Sequence, residues 1–381
     1  MAMRIVRRQM HWDSRLFTVA LMTLAIALVA TAASAGRVCA QSATRADSTG
    51  TIVGVVVTKE GGVALAYSVA SAPSLGRERF STDQGVFTLS DLPAGPLQLR
   101  VRHLGYTPVD LPVTVHAGRV DTVRVQLVHI AVRLSAVHVR ALPECKNPGV
   151  PKASADSAFA TVFDQLHQNA DQYRLLADAY PFVYTVERTM SLTMVSGDTR
   201  LEGIDTLVIE SANQWKYHPG AVVARAPRSA RGPMTMNIPT LVHFADKLFL
   251  DNHCFYNGGL EIVDGTELMR IDFNAAARIK DPDVDGAMYL DPTSFQIRRS
   301  VLRLSRIPKE IRGLEKTEAV TTFGEVLPSI PLIAGIVSIN EFQVNERQPK
   351  ALASATEQQR LTRVQFLKGM PGEEQKKPKS P

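Results

Sequence analysis

The sequence predicts a mainly β protein in which a small β-sandwich is followed by a larger antiparallel β-sheet domain with one or two helices. Two observations predict this fold class. Short segments that alternate apolar and polar side chains fill residues 50–140, and longer ones fill most of residues 181–367 without helices recurring between them. With 381 residues, 45% of them hydrophobic and 21% charged, the chain is long enough for two domains with separate cores.

The N-terminus has the composition of a secretory signal peptide, which we assign to residues 1–40. Four arginines precede an apolar run over residues 16–35: Arg4, Arg7, Arg8 and Arg15. Small residues allow cleavage after Ala35 or after Ala40, and both sites stay open. An uncleaved membrane anchor is the alternative, because about 20 apolar residues can span a bilayer. In either case the sequence predicts an exported protein, in the periplasm or associated with the outer membrane.

The net charge argues against a nucleic-acid partner. The first 40 residues hold five arginines and one aspartate, a net +4, so without them the formal charge falls from +6 to +2. The sequence also has no basic face interleaved with aromatic residues. Residues 368–381 are rich in Pro, Gly and Lys and are predicted to form a disordered tail.

Two cysteines remain in the exported chain if cleavage follows Ala40: Cys145 and Cys254. An oxidising compartment permits a disulfide between them, which would tie the interdomain segment to the second domain. Two thiols, free or buried, are the alternative, because pairing cannot be read from spacing alone.

The sandwich strands are predicted from β-branched runs and period-two alternation. The first is TIVGVVVT, closed by a turn at residues 59–62. In LQLRVRH the side chains of Leu97, Leu99 and Val101 alternate with polar ones, and DTVRVQL repeats the pattern. Each such strand places one face in a core and the other in water. Roughly five to seven of them in about 90 residues indicate a small sandwich.

A tight connection is predicted at residues 82–87, which read TDQGVF. Asp83 can accept hydrogen bonds from the backbone ahead of it, and Gly85 can take a positive φ. The turn therefore delivers Phe87 and Leu89 into the core.

The stretch STDQGVFTLSDLPAGPLQLRVRHLGY, together with GVV at residues 54–56 and LSAVHV at residues 134–139, resembles the carboxypeptidase regulatory-like domain. Its marks are the Thr-Asp-x-Gly-x-Phe turn and a strand that ends in Gly-Tyr, here Gly105 and Tyr106. The resemblance covers residues 50–140 and implies a transthyretin-like, or prealbumin-like, β-sandwich that is grouped with carbohydrate-binding-like folds. Related domains also precede outer-membrane receptors, so the implied partner is a carbohydrate or an outer-membrane protein.

A linker and a helix are predicted to follow. Residues 141–155 contain three prolines and form the linker. Ser154 or Asp156 can cap a helix whose apolar stripe has the spacing i, i+3, i+4, i+7: Phe159, Val162, Phe163 and Leu166. One stripe predicts packing on the second domain, with a partner-binding or membrane-surface helix as the alternative.

The second domain, residues 156–367, is predicted to be an antiparallel meander. Its candidate strands are FVYTVERTMSL, IDTLVIES, ELMRIDF, AMYLD, FQIRRSVLRL, IVSINEFQV and LTRVQF. A strand, a Gly turn, YLD and a Pro turn follow one another in residues 263–304. This order resembles the curved antiparallel sheet of envelope proteins related to lipoprotein-carrier folds.

A zinc peptidase site is not predicted, because none of the nine histidines is followed three positions later by glutamate. The best metal-like cluster lies in residues 243–254: His243, Asp246, Asp251, His253 and Cys254. Interleaved Phe and Leu residues favour a segment that packs on a sheet. The resemblance is to the accessory sandwich of carboxypeptidases, so it implies no peptidase activity.

Residues 281–286 match only the first half of a calcium-binding loop. Asp281, Asp283, Asp285 and Gly286 fit the pattern, but Pro292 stands where the bidentate glutamate is needed. The segment is therefore predicted to be a solvated acidic hairpin turn, with weak calcium binding as the alternative.

The sequence has no Gly-x-Ser-x-Gly elbow, no phosphate-binding loop and no dinucleotide fingerprint, and we assign no catalytic, cofactor-binding or metal residues. The predicted function is that of a non-catalytic, exported cell-envelope binding or scaffolding protein. Its strand edges and loop tips would be the contact surfaces. One alternative is a periplasmic carrier, whose curved sheet would hold a lipid or other apolar ligand in a large apolar pocket. The other is a metal-dependent hydrolase built on residues 243–254.

Overall fold

A computed structural model describes residues 48–132, 134–135, 141–213, 215–225 and 234–372. The predicted signal peptide lies outside this part of the chain, and so do most of the predicted closing strand and the last nine residues of the predicted tail. Among the described residues, no helix is both long enough and apolar enough to span a membrane.

The mainly β fold class is confirmed. The described chain begins with a two-layer β-sandwich. Its strands are β1 (Thr49–Thr58), β2 (Val69–Ala72), β3 (Arg77–Phe80), β4 (Val86–Pro93), β5 (Gly95–Arg102), β6 (Tyr106–Thr107), β7 (Val109–Val115) and β8 (Val120–His129). They form two four-stranded sheets, ordered β4-β1-β8-β6 and β3-β2-β5-β7. The pairing of β1 with β8 is parallel, unlike the antiparallel pairing expected, because the chain crosses to the other sheet and back between them.

The predicted turn delivers core residues as expected. Gly85 has φ +71°, and a Cβ there would lie 2.6 Å from the carbonyl oxygen of Val56, so the close approach of two backbones requires glycine. Phe87 and Leu89 are buried in the sandwich core. The hydroxyl of Thr82 accepts hydrogen bonds from the backbone N–H groups two and four residues ahead, at 3.1 and 3.2 Å. The side chain of Thr82 thus contributes an acceptor to this turn, one residue before the predicted Asp83.

The second domain contains a nine-stranded sheet and a separate two-stranded hairpin. Its strands are β9 (Phe182–Met194), β10 (Thr199–Glu210), β11 (Val223–Arg225), β12 (Met234–Met236), β13 (His253–Val263), β14 (Thr266–Ala275), β15 (Val284–Leu290), β16 (Ile297–Leu304), β17 (Leu314–Leu327), β18 (Ile330–Phe342) and β19 (Leu352–Phe366). The large sheet has the order β10-β9-β19-β18-β17-β16-β15-β14-β13, and all its pairs are antiparallel. The predicted meander is confirmed, although the sequence patterns did not single out β13 or β17.

Two α-helices accompany this sheet: α1 (Ser157–Ala179) and α2 (Lys247–Leu250). The carboxylate of Asp156 caps α1 by accepting from the backbone N–H of Phe159 at 2.9 Å. Such a cap stabilises a helix by about 1 kcal/mol. All four residues of the predicted stripe are buried in one core with the sheet, and the ring of Phe163 lies 4.7 Å from that of Phe255. The predicted packing of this helix on the second domain is confirmed.

The sandwich packs on the same helix through the Gly-Tyr end of its strand. Gly105 has φ +80°, and its N–H donates to Oε1 of Gln165 on α1 at 2.8 Å. A Cβ at this position would lie 3.3 Å from the carbonyl oxygen of Ser294, in the turn between β15 and β16. Beside this junction the ring of Phe80 lies 6.1 Å from that of Tyr180. Gly105 therefore joins the sandwich to both the helix and the sheet.

The linker lies along the edge strand β13. Cys145 and Cys254 form a disulfide with a Cα–Cα distance of 5.5 Å, which decides between the two alternatives left open by the sequence. On either side of it, the N–H of Gly149 donates to the carbonyl of His253 at 2.9 Å, and the N–H of Ala277 donates to the carbonyl of Cys145 at 2.8 Å. These bonds cover part of an edge that would otherwise present free backbone groups.

The described chain after β19 returns to the sandwich. Pro371 and Gly372 are buried, and a Cβ at Gly372 would lie 3.0 Å from the Cα of Thr82. The end of the described chain thus packs against the TDQG turn.

Candidate functional site

A groove of about 720 Å³, lined by both polar and apolar side chains, lies between the β-sandwich and α1. Its helix wall consists of Thr161, Asp164, Gln165, His167, Gln168 and Asp171. Its sandwich wall consists of Arg100, Arg102, Thr107, Pro108, His129, Ile130, Ala131 and Val132. The volume is within the range of small-molecule sites.

The helix wall is built on buried amides. Gln165 accepts from Gly105 and donates from its Nε2 to Oε1 of Gln168 at 3.5 Å. The Nε2 of Gln168 has no hydrogen-bond partner within the described part of the chain, although the residue is only 6% exposed. A buried donor without an acceptor is costly, so a rotation of this side chain that brings the amide to an acceptor in the groove would be favourable.

An ionic network holds the two walls together. The Arg102 guanidinium donates to Asp171 at 2.9 Å and to Glu78 at 3.0 Å, and Arg174 lies within 3.4 Å of both carboxylates. Burial acts to raise the pKa of Asp171, but Arg102 and the other cations nearby hold it below its usual value. The side chain of Arg102 is only 13% exposed, so this network is less screened by solvent than a surface ion pair.

The groove has balanced charge. Two arginines face two aspartates in its lining, and the formal charges cancel when the histidines are neutral. Partial desolvation raises the pKa of Asp164, while the nearby His167 opposes this effect. Donors and acceptors are therefore both present without a net field, which favours a neutral, hydrogen-bonding ligand over an ion.

The sandwich wall adds an apolar surface. Pro108, Ile130 and Val132 line it. At its rim, Nε2–H of His129 donates to the carbonyl of Thr293 at 3.1 Å, and the ring of Tyr106 meets the His129 ring edge-on at 5.2 Å. The aromatic residue of the Gly-Tyr pair thus supports one wall of the groove.

Below this rim lies a buried histidine, His103, whose ring is 5.3 Å from that of Tyr106. Burial lowers the pKa of His103 from 6.5 to about 4. The unfolded chain therefore binds a proton at this histidine below pH 6.5, whereas the folded protein binds it only near pH 4. The free energy of unfolding consequently decreases as the pH is lowered from 6.5 to 4.

We expect the titration of His103 to lower the free energy of unfolding by up to roughly 3 kcal/mol as the pH falls from 6.5 to 4. Urea unfolding at several pH values, compared between the wild type and His103→Gln, measures this contribution. The glutamine variant should show a shallower decline, and parallel curves for the two proteins would contradict the prediction.

The residues of the metal-like cluster have separate structural roles. Cys254 is in the disulfide, Asp246 caps α2 through the N–H of Leu248 at 2.7 Å, and Asp251 pairs with Lys247. Within the described ranges, no group of three or more His, Cys, Asp or Glu side chains is placed to hold a metal ion.

His243 from this cluster is a neutral, buried ring. Its Nδ1 accepts from the N–H of Thr240 at 2.9 Å, and its Nε2–H donates to the carbonyl of Trp215 at 3.0 Å. Burial lowers the pKa of His243, which agrees with a ring that accepts at one nitrogen and donates at the other.

The last member, His253, belongs to a buried polar cluster. Its Nδ1–H faces the carbonyl of Phe249 at 2.8 Å and its Nε2–H faces that of Val284 at 3.2 Å. The carboxylate of Asp283 lies 3.6 Å from Nε2.

Asp283 corrects a sequence expectation: the solvated acidic turn is wrong, because this residue is fully buried. Its carboxylate accepts from the Tyr217 hydroxyl at 2.8 Å and from the N–H of Gly220 at 2.9 Å. Burial acts to raise the pKa of Asp283, but His253, Gly220 and Tyr217 hold it below its usual value. Asp285 instead accepts from the N–H of Ala275 at 2.8 Å, so the aspartates do not converge as calcium ligands.

The fold and the groove define a mainly β protein with a sandwich module at its N-terminal side. Residues 51–128 match a family described as the carboxypeptidase regulatory-like domain, and this part of the chain is such a domain. No curated protein matches the chain.

Solved structures match parts of the chain at low identity and with low TM-scores. A minor pilin of Streptococcus agalactiae is 19% identical over 26% of this chain, with a TM-score of 0.19, and the chain spans about half, 48%, of its length. A putative outer membrane lipoprotein-sorting protein domain of Vibrio parahaemolyticus is 11% identical over 55% of this chain and 94% of its own, with a TM-score of 0.28. A putative carbohydrate binding protein of Bacteroides uniformis is 7% identical over 68% of this chain and 99% of its own, with a TM-score of 0.20.

Proposed function

We propose that this protein is a non-catalytic, exported cell-envelope binding protein, and that the groove between the sandwich and α1 binds a neutral, polyhydroxylated ligand such as a carbohydrate. The observation that carries the proposal is a charge-balanced groove of about 720 Å³ whose helix wall holds the polar residues Asp164, Gln165 and Gln168. Hydroxyl groups both donate and accept, so they suit a wall that offers amides, carboxylates and guanidinium groups together.

The two walls match the two kinds of surface on a sugar ring. The helix wall can hydrogen-bond the hydroxyl edge, while Pro108, Ile130 and Val132 can pack on C–H faces. The regulatory-like sandwich supplies one wall, and its resemblance to carbohydrate-binding-like folds agrees with this ligand class. The domain is the accessory module of carboxypeptidases, so it supports binding and not catalysis.

Export is supported by the disulfide between Cys145 and Cys254, because such bonds form and persist in oxidising compartments outside the cytoplasm. The arginine-rich start and the apolar run over residues 16–35 support the same location.

The packing between α1 and the large sheet disfavours the carrier alternative. Phe159, Phe163 and Leu166 of α1, with Phe255 and Phe273 of the sheet, fill space that a lipid carrier would leave for its ligand. A carrier would need a large apolar pocket on the curved sheet, so a space filled by the protein's own side chains favours binding or scaffolding.

A glycan array followed by calorimetry with the strongest neutral oligosaccharide tests the proposal. Asp164→Asn and Gln168→Met should each weaken binding about tenfold, since each removes one hydrogen-bonding group from the groove. Asp178→Asn is the matched control, because Asp178 is on the same helix, has a 65% exposed side chain and does not line the groove.

The expected result is binding by the wild type and by the control, with a loss in both groove variants. No glycan binding, or equal binding by all four proteins, would overturn the proposed site. A lipid that co-purifies with the protein and leaves these variants unaffected would favour the carrier instead.

A further inference from the structure

One edge strand of the nine-stranded sheet is contacted by the linker, whereas the other edge strand is exposed. At one edge, β13 carries the disulfide-linked linker through Cys145 and Gly149. At the other edge, β10 pairs only with β9 among the strands that the structure describes, and its residues 199–206 are exposed. An exposed edge of this length is a template for pairing with another strand.

A β-bulge at Glu202 changes which side chains share a face of β10. The register with β9 shifts between Leu201 and Gly203, so Glu202 is the extra residue. In a regular strand, Leu201 and Ile204 would point to opposite faces. The bulge places both on one face, together with Val208, and the three side chains are 58%, 63% and 68% exposed.

We propose that β10 is a dimer interface that pairs antiparallel with β10 of a second copy of this chain, about a two-fold axis between Glu202 and Gly203. In this register Leu201 lies opposite the partner subunit's Ile204, and Ile204 lies opposite the partner subunit's Leu201. The two nine-stranded sheets then continue as one sheet. Because the bulge is on the axis, a register centred there brings side chains of the same face together on both sides of the bulge.

The charges of β10 are complementary in the same register. Arg200 lies opposite the partner subunit's Asp205 on the other face, and the two threonines at 199 and 206 also meet. The Arg200 side chain is 67% exposed and that of Asp205 is 49% exposed, while Arg188 fixes the Asp205 carboxylate at the edge by donating from Nε at 2.8 Å. Aliphatic, opposite-charge and Thr–Thr pairs all stabilise antiparallel strands.

This self-complementarity favours a second copy as the occupant over an unrelated peptide. Under a two-fold axis every pair occurs twice, which is the usual arrangement in homodimers. An unrelated extended segment would need its own matching charges at the same spacing.

Sedimentation equilibrium of the purified protein tests the interface. The wild type should form dimers in a concentration-dependent manner. Ile204→Lys should weaken dimerisation at least about tenfold, because at both symmetric positions it replaces the aliphatic contact with the partner subunit's Leu201 by a charged side chain. Ile262→Lys is the matched control and should leave the dimer unchanged, since Ile262 is 74% exposed near the end of β13.

A charge exchange tests the register itself. Arg200→Asp alone and Asp205→Arg alone should each weaken the dimer about tenfold. The double variant should recover part of this loss, because it restores the pair between subunits but not the pairs that Arg200 and Asp205 make with Glu202 and Arg188 within each subunit. Thermal melting of each variant checks that the fold is retained. A wild type that stays monomeric, a dimer that every variant leaves intact, or a monomer that instead binds an unrelated strand peptide at β10 would overturn the proposal.

Discussion

Replacement of Asp283 by alanine is expected to lower the free energy of unfolding by about 3–5 kcal/mol, because it takes a buried acceptor away from several donors at about 1–3 kcal/mol each. The substitution leaves the Tyr217 hydroxyl and the Gly220 N–H without their acceptor, and it leaves the buried His253 ring without its neighbouring carboxylate. Each buried donor left unpaired adds to the cost. Urea denaturation followed by fluorescence and circular dichroism measures the change.

Asp281→Ala is the matched control for Asp283. It removes the same group two residues away from an exposed position, and the expected change is within about 0.5 kcal/mol. Asp283→Asn should fall between the two, because it keeps an acceptor for Tyr217 but removes the charge opposite His253. A loss below about 1 kcal/mol for Asp283→Ala would contradict the role given to this cluster.

Cys145→Ser combined with Cys254→Ser is expected to lower the free energy of unfolding by about 4–5 kcal/mol in the chain-entropy account. The disulfide joins residues 109 apart in sequence, so it removes many conformations of the unfolded chain. Thermal and urea unfolding of the double variant measure the effect, under conditions where the wild type is fully oxidised.

Reduction provides the control for the cysteine variants. A reducing agent should destabilise the wild type by a similar amount and should leave the double variant unchanged. Equal stability of the oxidised wild type and the double variant would show that the linker clamp over β13 does not stabilise the fold.

The groove shows where prediction from sequence stops. Gln165 and Gln168 lie between apolar residues of α1 and are of a residue type that is expected to face solvent. They are buried because the sandwich, through Gly105, packs on that side of the helix. The only signal in the sequence was the number of amides on one side of a predicted helix, and it does not distinguish a wet face from a domain interface.

The residues around His253 show the same limit of sequence-based prediction in another way. Five possible metal ligands within twelve residues are close in sequence, yet the structure places them in the 3-10 turn before α2, at the two ends of α2 and at the start of β13. Asp283 finds its partner Tyr217 66 residues earlier in the chain. Neighbourhood in sequence therefore did not indicate neighbourhood in space.

The sequence by itself determined the features that depend on short-range geometry. Alternation placed Leu97, Leu99 and Val101 in the sandwich core, the positive φ of Gly85 turned the chain into β4, and Asp156 began α1. Each of these follows from backbone sterics or from a hydrogen bond that spans a few residues.

Only the tertiary structure decided the disulfide, the burial of Asp283, the groove and the free edge of β10. Each of these depends on groups that are far apart along the chain, or on the absence of a neighbouring strand within the described residues. Local patterns carry no information on such pairings, because the same side chains are compatible with solvent, with a core or with a second subunit until the domains pack.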